Sequence, residues 1–510
     1  MPMPRADSTA ARWIVARLST RVPSTSKMAR GRKRLIIDAV RVKELAEQLR
    51  RDPTLDRQRT LDALATLAPF LSSASVVEAG TWPVFELPRL PNPDTQPEGC
   101  IAICRPYATL VTHGLAGPLG LTPLLAALAS SMRMIVDSGE SLSITLRCDA
   151  ADLLGAFGDP RFDFDPEPPH LPRRRAMIFV ATGNPRYPSA DAKQPLAEVE
   201  ADSIDEPVTG FVRVRAANYK MEVPGAMGMN ILPLTADYYI GRTLVTVQQY
   251  RAFVDGGGYQ DDAWWDAPGI QWRDGALDAL ILSRGSALRG TWLQRTGALR
   301  LLPWRWAEQG ATPTRPVVGV NWYEARAYAA WLQSRLVARL ASAGLASHRV
   351  RLPTEPEWRR AAQAVDVERY DDRPFPGVAP GDHRISSRPQ DHFANVLDMT
   401  RLGQTSPVGL FPASPIGLYD LAGNVWEWMD NDYVDPGYRP FDRFVPVAPP
   451  ERFILPPDKP DSPGIAICGG SWQQPLNKTE VDSREARLPW DHDDTLGFRV
   501  ALVPVVDRSA

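Results

Sequence analysis

Proline accounts for 49 of the 510 residues, and this feature limits the folds that the chain can adopt. The share is about twice the average usage. Proline lacks a backbone N–H and disrupts helix interiors, so long helices cannot dominate the structure. Apolar residues make up 44% of the chain and charged residues 23%. That composition is typical of globular proteins and rules out a disordered or fibrous chain.

Charge and cysteine content exclude several classes of protein. The 58 basic residues against 60 acidic residues give a net charge of −2, which provides no drive toward nucleic acid or anionic lipid. Four cysteines are too few for a disulfide scaffold, so we expect a reducing, cytoplasmic environment. The best apolar window, 119–136, is broken by Pro123 and Arg133, which favours a core helix over a membrane span.

The length predicts at least two domains. Residues 1–34 contain nine basic residues and one acid, Asp7, so we expect a disordered basic tail, with a targeting peptide as the alternative. Residues 35–225 mix helical and strand-like patterns and are interpreted as one mixed α/β domain of unknown type. Residues 226–505 form a second domain.

Within the first of these domains, a helix is predicted over 123–136 and is capped by Thr122. The apolar runs 100–104 and 141–147 suggest strands. Cys100 and Cys104 would then share one strand face. Without a second pair or a nearby histidine, they are interpreted as buried small residues, although a metal or redox pair remains the alternative.

Six motifs follow one another in the C-terminal half. They are YYIGRTLVTVQQYRAFVDGGGY (238–259), RPVVGVNWYEARAYAAWLQ (315–333), RLPTEPEWRRAAQ (351–363), GLYDLAGNVWEWMDNDY (417–433), CGGSWQQPLNKTEVDSREARLPW (468–490) and GFRVALV (497–503). The first predicts a strand and a short helix at about 247–254. The second predicts a strand ending at Asn321 and a helix after it. Thr354 and Glu357 have the spacing of a capping box.

This ordered set resembles the sulfatase-modifying factor family, whose founding activity is formylglycine generation. The resemblance covers about residues 230–503. It implies a C-type-lectin-like domain with much irregular structure, so the expected fold class is α+β, with a mixed α/β domain in front. The 15 tryptophans agree with this expectation, because buried indole rings can hold loops in place by packing where a domain has few strands.

The resemblance also implies calcium. The family holds one calcium ion in a turn whose matching residues here are Asp420, Gly423, Val425 and Glu427. The two carboxylates and the two backbone carbonyls would supply oxygen ligands, which calcium prefers. A second family site would use Asn395 and the carbonyl of Val396. Alternatively, Asp420 and Glu427 cap turns and pair with arginines.

The family's oxidases bind copper through two cysteines that lie five residues apart after the GGS-aromatic motif. The matching positions here are Gln474 and Thr479, and neither residue can supply the soft thiolate that Cu(I) requires. Cys468 lies before the glycines, on an expected buried strand. Trp426 and Ser471 do match residues that line the family's pocket. The sequence therefore predicts a surviving cleft without copper.

A second branch of the family, the ergothioneine-pathway sulfoxide synthases, holds iron with histidines that include an H-x-x-x-H pair. None of the six histidines in this chain are four residues apart. The sequence therefore argues against iron as well. His492 lies in the acidic segment DHDD (491–494), which is interpreted as a solvated loop.

A scaffold that keeps its motifs while its catalytic ligands are replaced suggests a binding module. We expect a protein or peptide ligand to contact the stretch between GGSW and GFR, and a protein encoded nearby is one candidate for this ligand. The candidate residues are Ser471, Gln473, Gln474, Asn477, Lys478, Thr479, Trp490, His492 and Asp493, together with Trp426. Two alternatives stay open: an oxygen-dependent metallo-oxidase with unidentified ligands, and a retroelement-diversified display protein.

Overall fold

The computed structural model describes residues 34–36, 84–86, 91–112, 122–138, 141–159, 178–180, 197–199, 210–222, 229–234, 236–283, 300–363, 393–414, 416–433 and 464–505. The predicted basic tail lies outside these residues, apart from Arg34. Two compact units divide the chain, one formed by residues 1–142 and 146–159 and the other by residues 143–145 and 160–510. The sequence predicts a domain boundary at about 225.

The described part of the first unit is largely helical. It contains the antiparallel pair β1 (Arg34–Ile36) and β2 (Val84–Glu86), then α1 (Pro97–Thr112), α2 (Thr122–Asp137) and most of α3 (Ile144–Phe157). The predicted helix at 123–136 is thus confirmed as α2. In the described part of the chain, no helix is both long and apolar enough to span a membrane.

The strands predicted at 100–104 and 141–147 are wrong, because these segments lie in α1 and α3. In α1, Cys100, Cys104, Tyr107 and Ala108 are buried at helical three-to-four spacing. Pro97 occupies the first helical position, where the missing N–H costs nothing. The two cysteines are buried, as expected, and burial raises the pKa of the Cys104 thiol to about 12.

The second unit mixes short strands and helices. Its elements are β3 (Ile178–Val180), β4 (Ala197–Val199), β5 (Phe211–Val214), β6 (Ala217–Glu222), β7 (Met229–Leu234), β8 (Tyr238–Gly241), α4 (Val247–Asp255), α5 (Ala267–Arg273), α6 (Asp278–Ser283), α7 (Trp306–Gln309), α8 (Trp322–Ser342), β9 (His348–Arg351), α9 (Glu355–Gln363), β10 (Trp426–Asp432), β11 (Ile465–Cys468), β12 (Arg484–Arg487), β13 (Leu496–Gly497) and β14 (Ala501–Pro504). This mixture agrees with the α+β class.

Two four-stranded sheets organise this unit. One has the antiparallel order β5-β8-β14-β9, and the other has the order β12-β11-β10-β13, in which β10 and β13 run parallel. β3 pairs with β4, and β6 pairs with β7. Outside these helices and strands, the described chain consists of loops and turns. Contacts between loops therefore hold the backbone of the site.

The helix α8 begins as the motif predicts, but no strand precedes it. Asn321 Oδ1 accepts the Glu324 N–H at 3.0 Å, and Glu324 Oε2 accepts the Asn321 N–H at 2.8 Å. Segment 315–321 makes only an isolated bridge, at Pro316, and is not a strand. The Val317 N–H donates to Val245 O and the Val247 N–H donates to Arg315 O, each at 2.9 Å, and the pairing does not extend into a named strand.

A cluster of aromatic side chains fills the core beneath α8. Tyr250 stacks on Tyr328 with ring centroids 5.3 Å apart, and both rings meet the edge of Phe498. Phe253 and Trp331 complete this part of the cluster. Rings of this size bury large apolar areas, so the loops are held by aromatic packing where backbone ladders are short.

We expect Asn321→Ala to lower the free energy of unfolding of this unit by about 1 kcal/mol, because it removes the N-cap of α8. Thermal melting followed by circular dichroism measures the effect, with Asn477→Ala at an exposed position as the control. A melting temperature equal to that of the control would contradict the capping role.

Candidate functional site

The candidate site is built around the turn 420–427, which we call the central turn. Asp420, Gly423 and Asn424 have positive φ angles of 56°, 74° and 63°. A Cβ on Gly423 would lie 2.4 Å from the Asn395 carbonyl oxygen, so this position requires glycine. The close approach lets the Asn424 N–H donate to the Asn395 carbonyl at 2.8 Å.

The central turn joins three loops through backbone hydrogen bonds. The Gly423 N–H donates to Gly469 O, and the Trp426 N–H donates to Thr495 O, both at 2.8 Å. The Trp472 N–H donates to Asn424 O at 3.0 Å. The segments around Asn395, Gly469 and Thr495 therefore meet at one place.

A buried ion pair anchors the end of the central turn. Arg499 Nε donates to Glu427 Oε2 at 2.8 Å, and Arg499 Nη2 donates to Oε1 at 3.0 Å. The remaining donors of the guanidinium reach Gly241 O and Tyr419 O, each at 2.8 Å. Both side chains are fully buried. A buried pair needs such complete hydrogen bonding to offset the loss of hydration.

Asp420 carries a buried charge that is only partly compensated. Its Oδ2 accepts the Gly409 N–H at 2.7 Å, and its Oδ1 lies 3.4 Å from Asn424 Nδ2. Burial raises the pKa of the Asp420 carboxyl to about 6. The group of Asp420, Glu427 and Arg499 therefore has two carboxylates and one guanidinium, and it is net negative above that pKa.

This arrangement bears on calcium in two ways. The excess negative charge at Asp420 fits a cation, and calcium bound there, with the Gly423 and Val425 carbonyls as further ligands, would neutralise that carboxylate. Glu427, however, already pairs with an arginine, as the alternative interpretation expects. Calcium at this turn stays a prediction. In the described ranges, no three His, Cys, Asp or Glu side chains come together as a metal-binding group.

The oxygens expected at the second calcium site already accept hydrogen bonds. Thr400 Oγ1 donates to Asn395 Oδ1 at 2.8 Å, and the Thr400 N–H donates to Val396 O at 3.2 Å. Both Asn395 and Val396 are buried. These contacts explain the turn at 395–400 without an ion.

The candidate residues of the stretch 471–496, which we call the recognition loop, differ in their exposure to solvent. Gln473, Asn477 and Lys478 are exposed, and Gln474 and Asp493 are half-buried. The buried candidates are Ser471, Thr479, Trp490 and His492, together with Trp426 at the start of β10. The exposed residues form a rim, whereas the buried candidates can contact only a ligand that enters the loop.

The two positions that match the copper ligands take part in local structure. The backbone carbonyl of Gln474 accepts a hydrogen bond from the Leu397 N–H at 2.9 Å, and Thr479 Oγ1 donates to Leu476 O at 2.8 Å. Cys468 is buried on β11, where burial raises its thiol pKa well above the usual value. The residues present here do not fit a copper ion, because none supplies a thiolate.

The interpretation of DHDD as a solvated loop is wrong for its first two residues. Asp491 is 5% exposed and His492 is 2% exposed. His492 Nδ1 lies 3.2 Å from the Trp490 carbonyl oxygen, and the imidazole meets the Trp304 ring edge-on at 6.2 Å. Acidic side chains suggested exposure, but the loop folds inward against this tryptophan.

Asp491 is a candidate that the sequence interpretation missed. Its Oδ2 accepts the Leu488 N–H at 3.0 Å, whereas Oδ1 is buried with no hydrogen-bond partner in the described chain. The indole Nε1 of the neighbouring Trp490 is also buried without an acceptor there. Burial raises the pKa of Asp491 to about 6. Asp491 lies between Trp490 and His492, which the sequence analysis already names as candidate ligand contacts, and this position is the sequence signal that could have identified it.

Comparison with known proteins identifies the family of this chain. The sulfatase-modifying factor enzyme 1-like domain family matches residues 167–503. The chain belongs to this family. It is 32% identical to hercynine oxygenase of Mycobacterium tuberculosis over 248 residues, which is 46% of this chain and 45% of that protein.

A formylglycine-generating enzyme of Thermomonospora curvata is 26% identical over 375 residues, covering 68% of this chain and all of that enzyme. The solved structure of Treponema denticola variable protein 1 has a TM-score of 0.35 and 22% identity, and it covers 58% of this chain and 95% of that one. The alignments to the mycobacterial hercynine oxygenases span less than half of those relatives.

We call the part of the chain that matches the family, residues 167–503, the family domain. Arg499→Met should destabilise this domain by about 3–5 kcal/mol, because it leaves the Glu427 carboxylate buried and unpaired. The double variant Arg499→Met/Glu427→Leu removes that charge and should recover part of the loss. Chemical denaturation of both variants measures the difference. Equal stability of the single and double variants would contradict a coupled pair.

Asp420→Asn should stabilise the calcium-free protein at pH 7 by about 3 kcal/mol, because burial raises the pKa of Asp420 in the folded state to about 6. The folded state then binds more protons than the unfolded state between about pH 4 and pH 6, so wild-type stability falls as pH rises through this window. Below about pH 4 the two proteins should have equal stability.

Melting curves from pH 3.5 to 7.5, with calcium or chelator, measure both effects. If calcium binds at the central turn, it should raise the melting temperature of the wild type and not that of Asp420→Asn. If Asp420→Asn is less stable than the wild type at pH 7 with chelator, the expectation that the buried Asp420 charge destabilises the calcium-free protein is wrong.

Proposed function

We propose that the family domain is a binding module that recognises a protein or peptide through the recognition loop. The carrying observation is that two buried polar atoms of this loop, the Trp490 Nε1 donor and the Asp491 Oδ1 acceptor, have no hydrogen-bond partner in the described chain. A peptide group offers one acceptor and one donor. An extended peptide can therefore complement both atoms.

The exposed rim supports the same function. Gln473, Asn477 and Lys478 project from a loop whose backbone is fixed by the central turn and by the 395–400 segment. The Leu476 N–H donates to Asp398 Oδ1 at 3.0 Å, and Leu397, one residue away, is 52% exposed. A rigid base with adaptable polar side chains and an apolar contact is well suited to recognition.

The rival function is an oxygenase, as the name of one group of relatives, the hercynine oxygenases, suggests. Such an enzyme would need metal ligands other than those at the copper positions, because Gln474 and Thr479 supply no thiolate. Metal analysis combined with oxygen consumption in the presence of a thiol separates the two functions. Stoichiometric copper or iron with oxygen uptake would overturn the binding module.

Selection of phage-displayed peptides on the full chain, followed by affinity measurement, tests the binding function. We expect Asp491→Asn to weaken selected peptides by about tenfold, because a charged acceptor is lost. A triple alanine variant at Gln473, Asn477 and Lys478 should weaken them further. Gln260→Ala, at an exposed position elsewhere in the unit, should leave the affinity unchanged.

The result contradicts the proposal if all selected peptides bind the Asp491→Asn and triple variants as tightly as they bind the control. Thermal melting of each variant checks that the loss reflects the loop and not unfolding. Because Asp491 has a raised pKa, binding through its carboxylate should also weaken as pH falls through about 6.

A further inference from the structure

A buried cluster of charges lies where α9 contacts β11. Glu355, the first residue of α9, is fully buried, and its Oε1 lies 3.1 Å from Arg359 Nε and 2.8 Å from Arg484 Nε. The side chain of Arg359 is 2% exposed and that of Arg484 is 10% exposed. One carboxylate thus faces two guanidinium groups, and these three residues carry a net positive charge.

The cluster has more hydrogen-bond donors than the described chain satisfies. Arg359 Nη2 donates to the Asp482 carbonyl at 3.1 Å, but Arg359 Nη1 and Arg484 Nη2 are buried without any acceptor in the described residues. The indole Nε1 of Trp358, beside Arg359 in the sequence, has none there either. Buried charged donors without acceptors are costly, so an acceptor is expected.

We propose that Arg359 and Arg484 bind a small oxyanion, either a carboxylate or a phosphate. The planar guanidinium donors match such oxygens, and a negative charge would neutralise the excess positive charge of the cluster. The Glu355 carboxylate cannot do this alone, because both arginines share its Oε1 while its Oε2 has no partner in the described chain.

The position of Arg484 provides access for an ion. It lies on β12, an edge strand of its sheet, and its guanidinium lies over the Tyr433 ring at 4.3 Å. This stacking fixes the side chain while leaving it partly exposed. A free ion can bind there whether or not the recognition loop takes a peptide, so the proposal stands apart from the proposed function.

The test compares Arg484→Met with Arg487→Met in the full chain. Arg487 lies on the same strand and pairs with Glu485 at 2.9 Å, so both variants lose one positive charge from β12. Melting temperatures are measured in sodium phosphate, acetate and chloride at matched ionic strength, and phosphate affinity is measured by calorimetry. We expect phosphate or acetate to stabilise the wild type and Arg487→Met, and phosphate affinity to fall by at least about tenfold in Arg484→Met.

Glu355→Gln is a second test, which does not depend on the folding of Arg484→Met. It removes the negative charge that repels an anion, so phosphate should bind about tenfold more tightly. The proposal is overturned if Arg484→Met and Arg487→Met respond alike to all three salts, if only chloride stabilises the protein, or if Glu355→Gln leaves phosphate affinity unchanged or weakened.

Discussion

The guanidinium of Arg499 joins the two sheets of the family domain. It pairs with Glu427 on β10 and donates to the carbonyl of Gly241 at the end of β8, and these strands belong to different four-stranded sheets. It also reaches Tyr419, immediately before the central turn. Because few backbone ladders link these elements, the hydrogen bonds of this one guanidinium are a direct connection between the two sheets.

The position of this pair determines the electrostatics of the site. Glu427 is neutralised by Arg499, so Asp420, seven residues earlier, is left as the only partly compensated carboxylate of this group. The turn also sets the path of the recognition loop through the Trp426 and Trp472 N–H groups. The scaffold and the candidate ligand surface therefore share one set of buried contacts.

The sequence predicts local structure well where the signal lies within a few residues. The Thr354 N–H donates to Glu357 Oε2 at 2.7 Å at the start of α9, as the capping-box spacing predicts, and α8 begins directly after Asn321, as expected. Short apolar runs are harder to interpret. The run that begins at Cys100 is too short to distinguish a helix from a strand by periodicity alone.

Contacts between distant residues could not be predicted in the same way. Glu427 and Arg499 are 72 positions apart, and their pairing depends on how the two sheets come together. The burial of Asp491 likewise depends on the fold of the whole loop, because an acidic run by itself favours solvent. The meeting of the central turn, the 395–400 segment and the recognition loop also depends on residues that are distant in the sequence, so the hydrogen bonds among them require the structure.

The two positions that the family resemblance aligns with copper ligands, Gln474 and Thr479, illustrate why the fold alone does not determine the chemistry. Thr479 fills its position with a hydrogen bond to Leu476, and Gln474 contributes only its backbone to the neighbouring segment. Neither position carries the ion pair or the aromatic packing that holds the domain together. A loop supported in this way can change its side chains without loss of the scaffold.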